Sequence, residues 1–134
     1  MKKVTLKDVL DILIAFFVAW LIYHVLGLIL ATPIPLVAVV SNSMEPKIHV
    51  GDLLIVTGYG NYTVNDIVVY RKPFVGFDIV HRIINVTPEG YVTKGDNNPY
   101  ADKWIVKKNE ILGKVVFVIP LLGYPRILLY AIGI

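Results

Sequence analysis

The chain has no cysteine. That absence removes disulfides, thiolate nucleophiles and thiolate metal sites, so hydroxyl, imidazole and carboxylate groups must carry any chemistry. His49 has no metal-ligand spacing to a second histidine or an acid, and neither metal nor cofactor is expected. Basic clusters are missing too. The net charge of +3 comes from Lys and Arg dispersed among acids, and the pI of about 9.1 does not point to nucleic acid. Internal repeats, low-complexity tracts and linkers long enough to separate two soluble domains are likewise absent.

Charge itself is lacking over residues 12–40. Residues 12–30 as a helix rise about 28 Å at ~1.5 Å per residue, close to the ~30 Å hydrocarbon core of a bilayer. Lys2, Lys3 and Lys7 precede this run. The bias of positive charge toward the cytoplasm then predicts a single-pass protein of the cell membrane, with its N-terminus cytoplasmic and everything after about residue 32 outside. A cleavable signal sequence would have a shorter apolar core and a small-x-small site, whereas this run continues into Pro33 and Pro35, which end the helix. His24, within the span, reads as a neutral imidazole near the outer interface or against a partner helix.

Beyond Pro35 the periodicity changes. Short runs rich in β-branched residues at 36–40, 52–56, 66–70, 79–86, 91–93 and 115–119 alternate with Gly, Pro and Asn, which predicts a small antiparallel β domain closed into a barrel or folded as a sandwich. The expected organisation is a cytoplasmic stub and anchor over 1–31, an extracytoplasmic β domain over 32–120, and an apolar membrane-interface segment over 121–134. That last segment is broken by Pro120, Gly123, Pro125 and Arg126 and is too short after Arg126 to span. Tyr124 and Tyr130 suit an interface.

Candidate chemistry begins at Ser43, placed a few residues after the anchor. A serine hydroxyl becomes a nucleophile when a base takes its proton and donors stabilise the oxyanion. His81 is a candidate base, because imidazole exchanges protons near neutral pH. Asp96 and Asp102 are candidate carboxylate partners, since Gly95, Asn97, Asn98 and Pro99 can fold their loop tightly enough to bring both near His81.

Five blocks, in order, are Ser-Asn-Ser-Met-Glu-Pro (41–46), Gly-Asp-Leu-Leu-Ile-Val (51–56), Asp-Ile-Val-Val-Tyr (66–70), Val-His-Arg-Ile (80–83) and Lys-Gly-Asp-Asn-Asn (94–98). Together they resemble a type I signal peptidase, and more narrowly the archaeal and endoplasmic-reticulum type. The bacterial branch has lysine followed by arginine where this chain has His81-Arg82. The resemblance implies Ser43 as nucleophile, His81 as general base and Asp102 as its orienting acid, with Asp96 in second place. It also implies Ser41 as side-chain oxyanion donor beside the Ser43 N–H, and small substrate residues at −1 and −3. Val39, Met44, Ile79 and Val80 flank nucleophile and base and are candidates for lining the substrate pockets.

The function expected on this basis is a membrane-anchored serine endopeptidase that removes signal peptides from secreted preproteins at the outer membrane surface. Implied partners are those signal peptides, membrane lipid and the secretion translocon. Two alternatives compete. One is a serine-dependent repressor-like autoprotease, which needs neither His81 nor a membrane span. The other is a non-catalytic preprotein-binding subunit of a processing complex. Asp52, Asp66 and His49 are assigned no catalysis, and the sequons at Asn61 and Asn85 leave modification open.

Overall fold

A computed structural model describes residues 1–133, with the Tyr130 side chain outside the description, so the expectations placed on the Tyr130 ring and on Ile134 lie outside the described residues. Helix α1 covers Leu6–Leu30. Thr5 caps its start in a reciprocal arrangement: the Asp8 N–H donates to Thr5 Oγ1 at 3.3 Å and the Thr5 N–H to Asp8 Oδ2 at 2.7 Å. None of its residues is buried, and it is the one described helix long and apolar enough to cross a membrane. His24 donates from Nδ1 to the Trp20 carbonyl at 2.8 Å, so the helix itself satisfies this polar group.

The helix stops at Ala31, which adopts a left-handed conformation (φ 54°) just ahead of Pro33. Its last turn is fastened to the β domain. Leu30 O accepts from the Gly58 N–H at 2.8 Å and from Thr57 Oγ1 at 3.1 Å, while Thr32 Oγ1 donates to Leu112 O at 2.8 Å. Gly58 is required there, because a Cβ would lie 2.0 Å from Ala31 O.

Six antiparallel strands follow: β1 (Leu36–Ala38), β2 (Leu53–Thr57), β3 (Ile67–Tyr70), β4 (Ile79–Thr87), β5 (Gly90–Lys94) and β6 (Ile111–Ile119). They form one sheet in the order β1-β2-β6-β3-β4-β5. The molecule is mainly β with an N-terminal helix, as the sequence predicts, but the sheet is open rather than closed into a barrel. β1 and β5 are its edges. Closure would leave one buried interior, whereas here alternate residues of β3 enter two separate cores. Val69 packs with Val39, Met44, Ile48, Leu54 and Val56, while Val68 and Tyr70 pack with Ile79, Ile83, Val106 and Ile111. Chain outside the strands, from 39–50 and from 102–110, therefore contributes to covering opposite faces, doing what a second sheet or a closed barrel would do.

Helix α2 (Tyr124–Ala131) lies within the segment the sequence reads as broken. Pro125 sits in its first turn, where the missing N–H has no helical partner to lose. The Gly123 N–H donates to Gly51 O at 2.9 Å, and the Tyr124 ring lies so close to Gly51 that a Cβ would meet it at 2.3 Å. Leu121, Leu122, Leu128, Leu129 and Ile132 remain exposed.

Candidate active site

Ser43 sits in a turn that two apolar side chains pin to the core. Met44 is 2% exposed and Ile48 fully buried, and the Ile48 N–H returns to Met44 O at 3.0 Å. From the other side the loop after β5 docks on this turn. The Asn97 N–H donates to Ser43 O at 2.8 Å, and Asn97 Nδ2 to Asn42 O at 3.1 Å. A Cβ on Gly95 would stand 2.8 Å from Ser43 O, so the backbones approach as only glycine allows. Ser43 Oγ is 3.2 Å from Ser41 Oγ.

His81 lies on β4 opposite Val68 of β3 and is 8% exposed. Its Nδ1 is 2.6 Å from Asp102 Oδ2. Because an ionised carboxylate only accepts, Nδ1 carries the proton and Nε2 is left as the basic nitrogen. Asp102 is fixed through its own backbone, whose N–H donates to Thr93 O at 2.8 Å. The same oxygen, Oδ2, also accepts from Thr93 Oγ1 at 2.7 Å and Tyr70 Oη at 2.8 Å. Burial raises the Asp102 pKa, but the bonds from His81, Thr93 and Tyr70 outweigh it and hold the carboxyl below its ordinary value. Burial also pushes the Tyr70 hydroxyl well above its ordinary value, keeping it a neutral donor.

Asp96 is elsewhere engaged. Arg82 grips it with two bonds, Nε to Oδ1 at 2.9 Å and Nη2 to Oδ2 at 2.7 Å, and the guanidinium lowers its pKa. The two carboxylates of this loop thus part company: Asp102 faces His81, and Asp96 ties its loop to β4. Asp52 is buried as a bracket, accepting from the N–H groups of His49 and Leu121, and Asp66 accepts from the Thr63 N–H.

Ser41, Ser43, His81 and Asp102 all border one cavity of about 380 Å³, and so do Val39, Met44, Ile79 and Val80. Phe77 and Trp104 complete its apolar wall. Val37 and Ala38 on the free side of β1 reach it, as do residues 79–81 of β4, which β5 does not cover because their pairing begins at Arg82. Two unpaired strand edges therefore meet the same cleft. A larger cavity of about 720 Å³ lies between α1, β1 and α2 and contains neither serine nor histidine. Among the described residues no cluster of His, Asp and Glu could hold a metal.

Sequence reasoning missed Tyr70, Thr93 and Trp104. Tyr70 ends a block that reads only as a strand. Knowing that β3 runs antiparallel to β4, with Tyr70 opposite Ile79, would have placed its side chain on the face of His81.

A Peptidase S24-like family model matches residues 25–116. The signal peptidase complex catalytic subunit sec11 of Pyrenophora tritici-repentis is 34% identical over 136 residues, covering 91% of this chain and 79% of that protein. SEC11 of Scheffersomyces stipitis is 34% identical over 137 residues, covering 92% and 82%. SEC11 of Schizophyllum commune is 36% identical over 132 residues, covering 76% and 68%.

Proposed function

The chain belongs to the type I signal peptidases of the archaeal and endoplasmic-reticulum kind, within the Peptidase S24-like family, and from that premise we propose that Ser43, His81 and Asp102 cleave signal peptides from secretory preproteins at the outer surface of the membrane that α1 crosses. The observation that carries this reading is the cleft itself. It borders the serine turn and the His81–Asp102 pair together, and its wall includes β1, the first strand after α1.

In this mechanism Ser43 Oγ attacks the scissile carbonyl while His81 Nε2 takes its proton, and Asp102 holds Nδ1 and stabilises the imidazolium that forms. His81 then returns the proton to the leaving amine, and water attacks the acyl-enzyme by the same route. The Ser43 and Ser41 hydroxyls begin 3.2 Å apart, within bonding reach of each other. With Ser43 Oγ engaged by His81 when substrate enters, the Ser41 hydroxyl can join the Ser43 N–H at the oxyanion. An extended substrate would run along the unpaired edges of β1 and β4, its alternate side chains entering pockets that Val39, Met44, Ile79 and Val80 keep small.

Three regions follow: anchor over 1–31, catalytic domain over 32–120, and α2 with its flanks as an interfacial segment over 121–134. The N-terminus is cytoplasmic. Membrane lipid and the secretion translocon are partners of this arrangement, and the names of the relatives point to a complex of several subunits. The test uses purified protein in detergent or lipid with one preprotein. Ser43→Ala should keep the fold and lose several orders of magnitude in turnover. Full activity in that variant would overturn the mechanism.

A further inference from the structure

The triad leaves three neighbouring polar groups without a role: the hydroxyls of Tyr70 and Thr93 and the indole N–H of Trp104. Tyr70 is fully buried. Phenylalanine would fill its space, so the hydroxyl needs its own account. It is bonded on both sides. Trp104 Nε1 donates to Tyr70 Oη at 3.0 Å, and Tyr70 Oη lies 2.8 Å from Asp102 Oδ2. The direction of this chain is fixed by chemistry, because an indole only donates and an ionised carboxylate only accepts. Tyr70 must take the Trp104 proton on its oxygen and give its own to Asp102. The single Thr93 proton goes to Asp102 at 2.7 Å rather than to Tyr70 Oη at 3.4 Å.

We propose that Tyr70, braced by Trp104, is a positioning residue that fixes Asp102 for His81 and links the wall of the substrate cavity to the acid of the triad. This rests on the triad reading given above. The far end of the relay is the cavity wall, since the Trp104 side chain borders the cleft and its ring meets Phe74 edge-on at 5.4 Å. Its near end touches both partners, for the Tyr70 ring also stands edge-on to the His81 ring at 6.4 Å. The segment after Trp104 is held as well. Lys72, 7% exposed, donates to Ile105 O at 2.8 Å and to Glu110 Oε1 at 2.8 Å. A side chain that presses on Trp104 thereby acts on the bond that aims the imidazole.

Removing the Tyr70 donor has a definite sign. With one donor fewer, Asp102 Oδ2 holds more charge and binds the imidazolium that forms during attack more strongly. The titratable groups that face His81 are Asp102, Tyr70 and, more distantly, Asp96, which Arg82 already neutralises. The acid limb of the kcat/KM profile should therefore move upward.

The experiment compares full-length Tyr70→Phe, Trp104→Phe and Asp102→Asn proteins with the parent, at equal folded fraction, on one preprotein across pH. Tyr70→Phe should lower kcat about tenfold, leave KM nearly unchanged and raise the acid limb by about half a pH unit. Trp104→Phe should move the limb the same way by less and also alter KM, because its ring meets substrate. It carries the test if Tyr70→Phe fails to fold. Parental kcat and an unmoved limb in both tyrosine and tryptophan variants would overturn the proposal, and so would losses that track melting temperature alone. Parental turnover in Asp102→Asn is a different failure: it removes the triad, and with it the residue Tyr70 was said to position.

Discussion

Asp96 and Asp102 are separated by a handful of residues in one loop and by entirely different chemistry. One accepts from an imidazole N–H and from two neutral hydroxyls, and the other is saturated by a guanidinium. Asp102→Asn should therefore lose about ten-thousand-fold in turnover, as loss of an orienting aspartate does in serine-protease triads. Asp96→Asn should lose much less turnover and more melting temperature. An inactive, well-folded Asp96→Asn protein would exchange the two assignments. Both carboxyls also link stability to pH. Each has a folded pKa below its ordinary 3.8, so each contributes stability that is fully present above that value and lost as pH falls through the folded one. Melting temperature should fall steeply below about pH 4, and the fall should be shallower in Asp96→Asn.

Among the elements, the loop after β5 matters most to the proposed chemistry, because it reaches Ser43 through Asn97 and His81 through Asp102. Gly95→Ala sets a Cβ against Ser43 O at 2.8 Å and against Asn98 Nδ2 at 2.6 Å. The Ser43 turn must shift to admit it. A misplacement of about 1 Å can cost on the order of a hundredfold, so turnover should drop by about ten- to a hundredfold with the His81–Asp102 pair intact. Unchanged turnover would mean that the loop does not position the serine. Each strand was legible in the sequence, since β-branched runs stand between turn residues. Their limits were less so: β6 begins at Ile111 rather than 115, and the reason is Gly113, which reads as a break. In the sheet it is the residue that lets β2 come close, for a Cβ there would meet Thr57 O at 2.7 Å. Helix α2 was hidden by Pro125 within it and by Pro120 and Gly123 just before it. Ser43, His81 and Asp96 stand in short contiguous blocks and Asp102 just beyond the last of them, so the sequence could nominate all four, whereas Tyr70 and Trp104 come to Asp102 only through strand register and a long-range contact.

For the molecule as a whole, the fastening of Leu30 to Thr57 and Gly58 makes anchor and catalytic domain one body at their junction. On the proposed function, the height of Ser43 above the lipid is then a property of the fold, and a scissile bond must come to that level. Protease added outside sealed vesicles or cells should digest residues beyond 32 and spare the N-terminal stub; digestion from the cytoplasmic side alone would invert the orientation and remove the secretory reading. Whether six strands close into a barrel depends on which edges meet, which no local pattern in the sequence records. The open sheet leaves the sides of β1 and β4 bare at the same cleft. On the proposed function, the signal-peptide half of a substrate is a bivalent ligand, because its residues at −1 and −3 lie in the cleft and its apolar segment, on the same side of the scissile bond, lies in lipid. The mature half shares neither hold, so the cut leaves it free to depart first, while the signal-peptide half keeps the effective concentration that lipid gives the cleft.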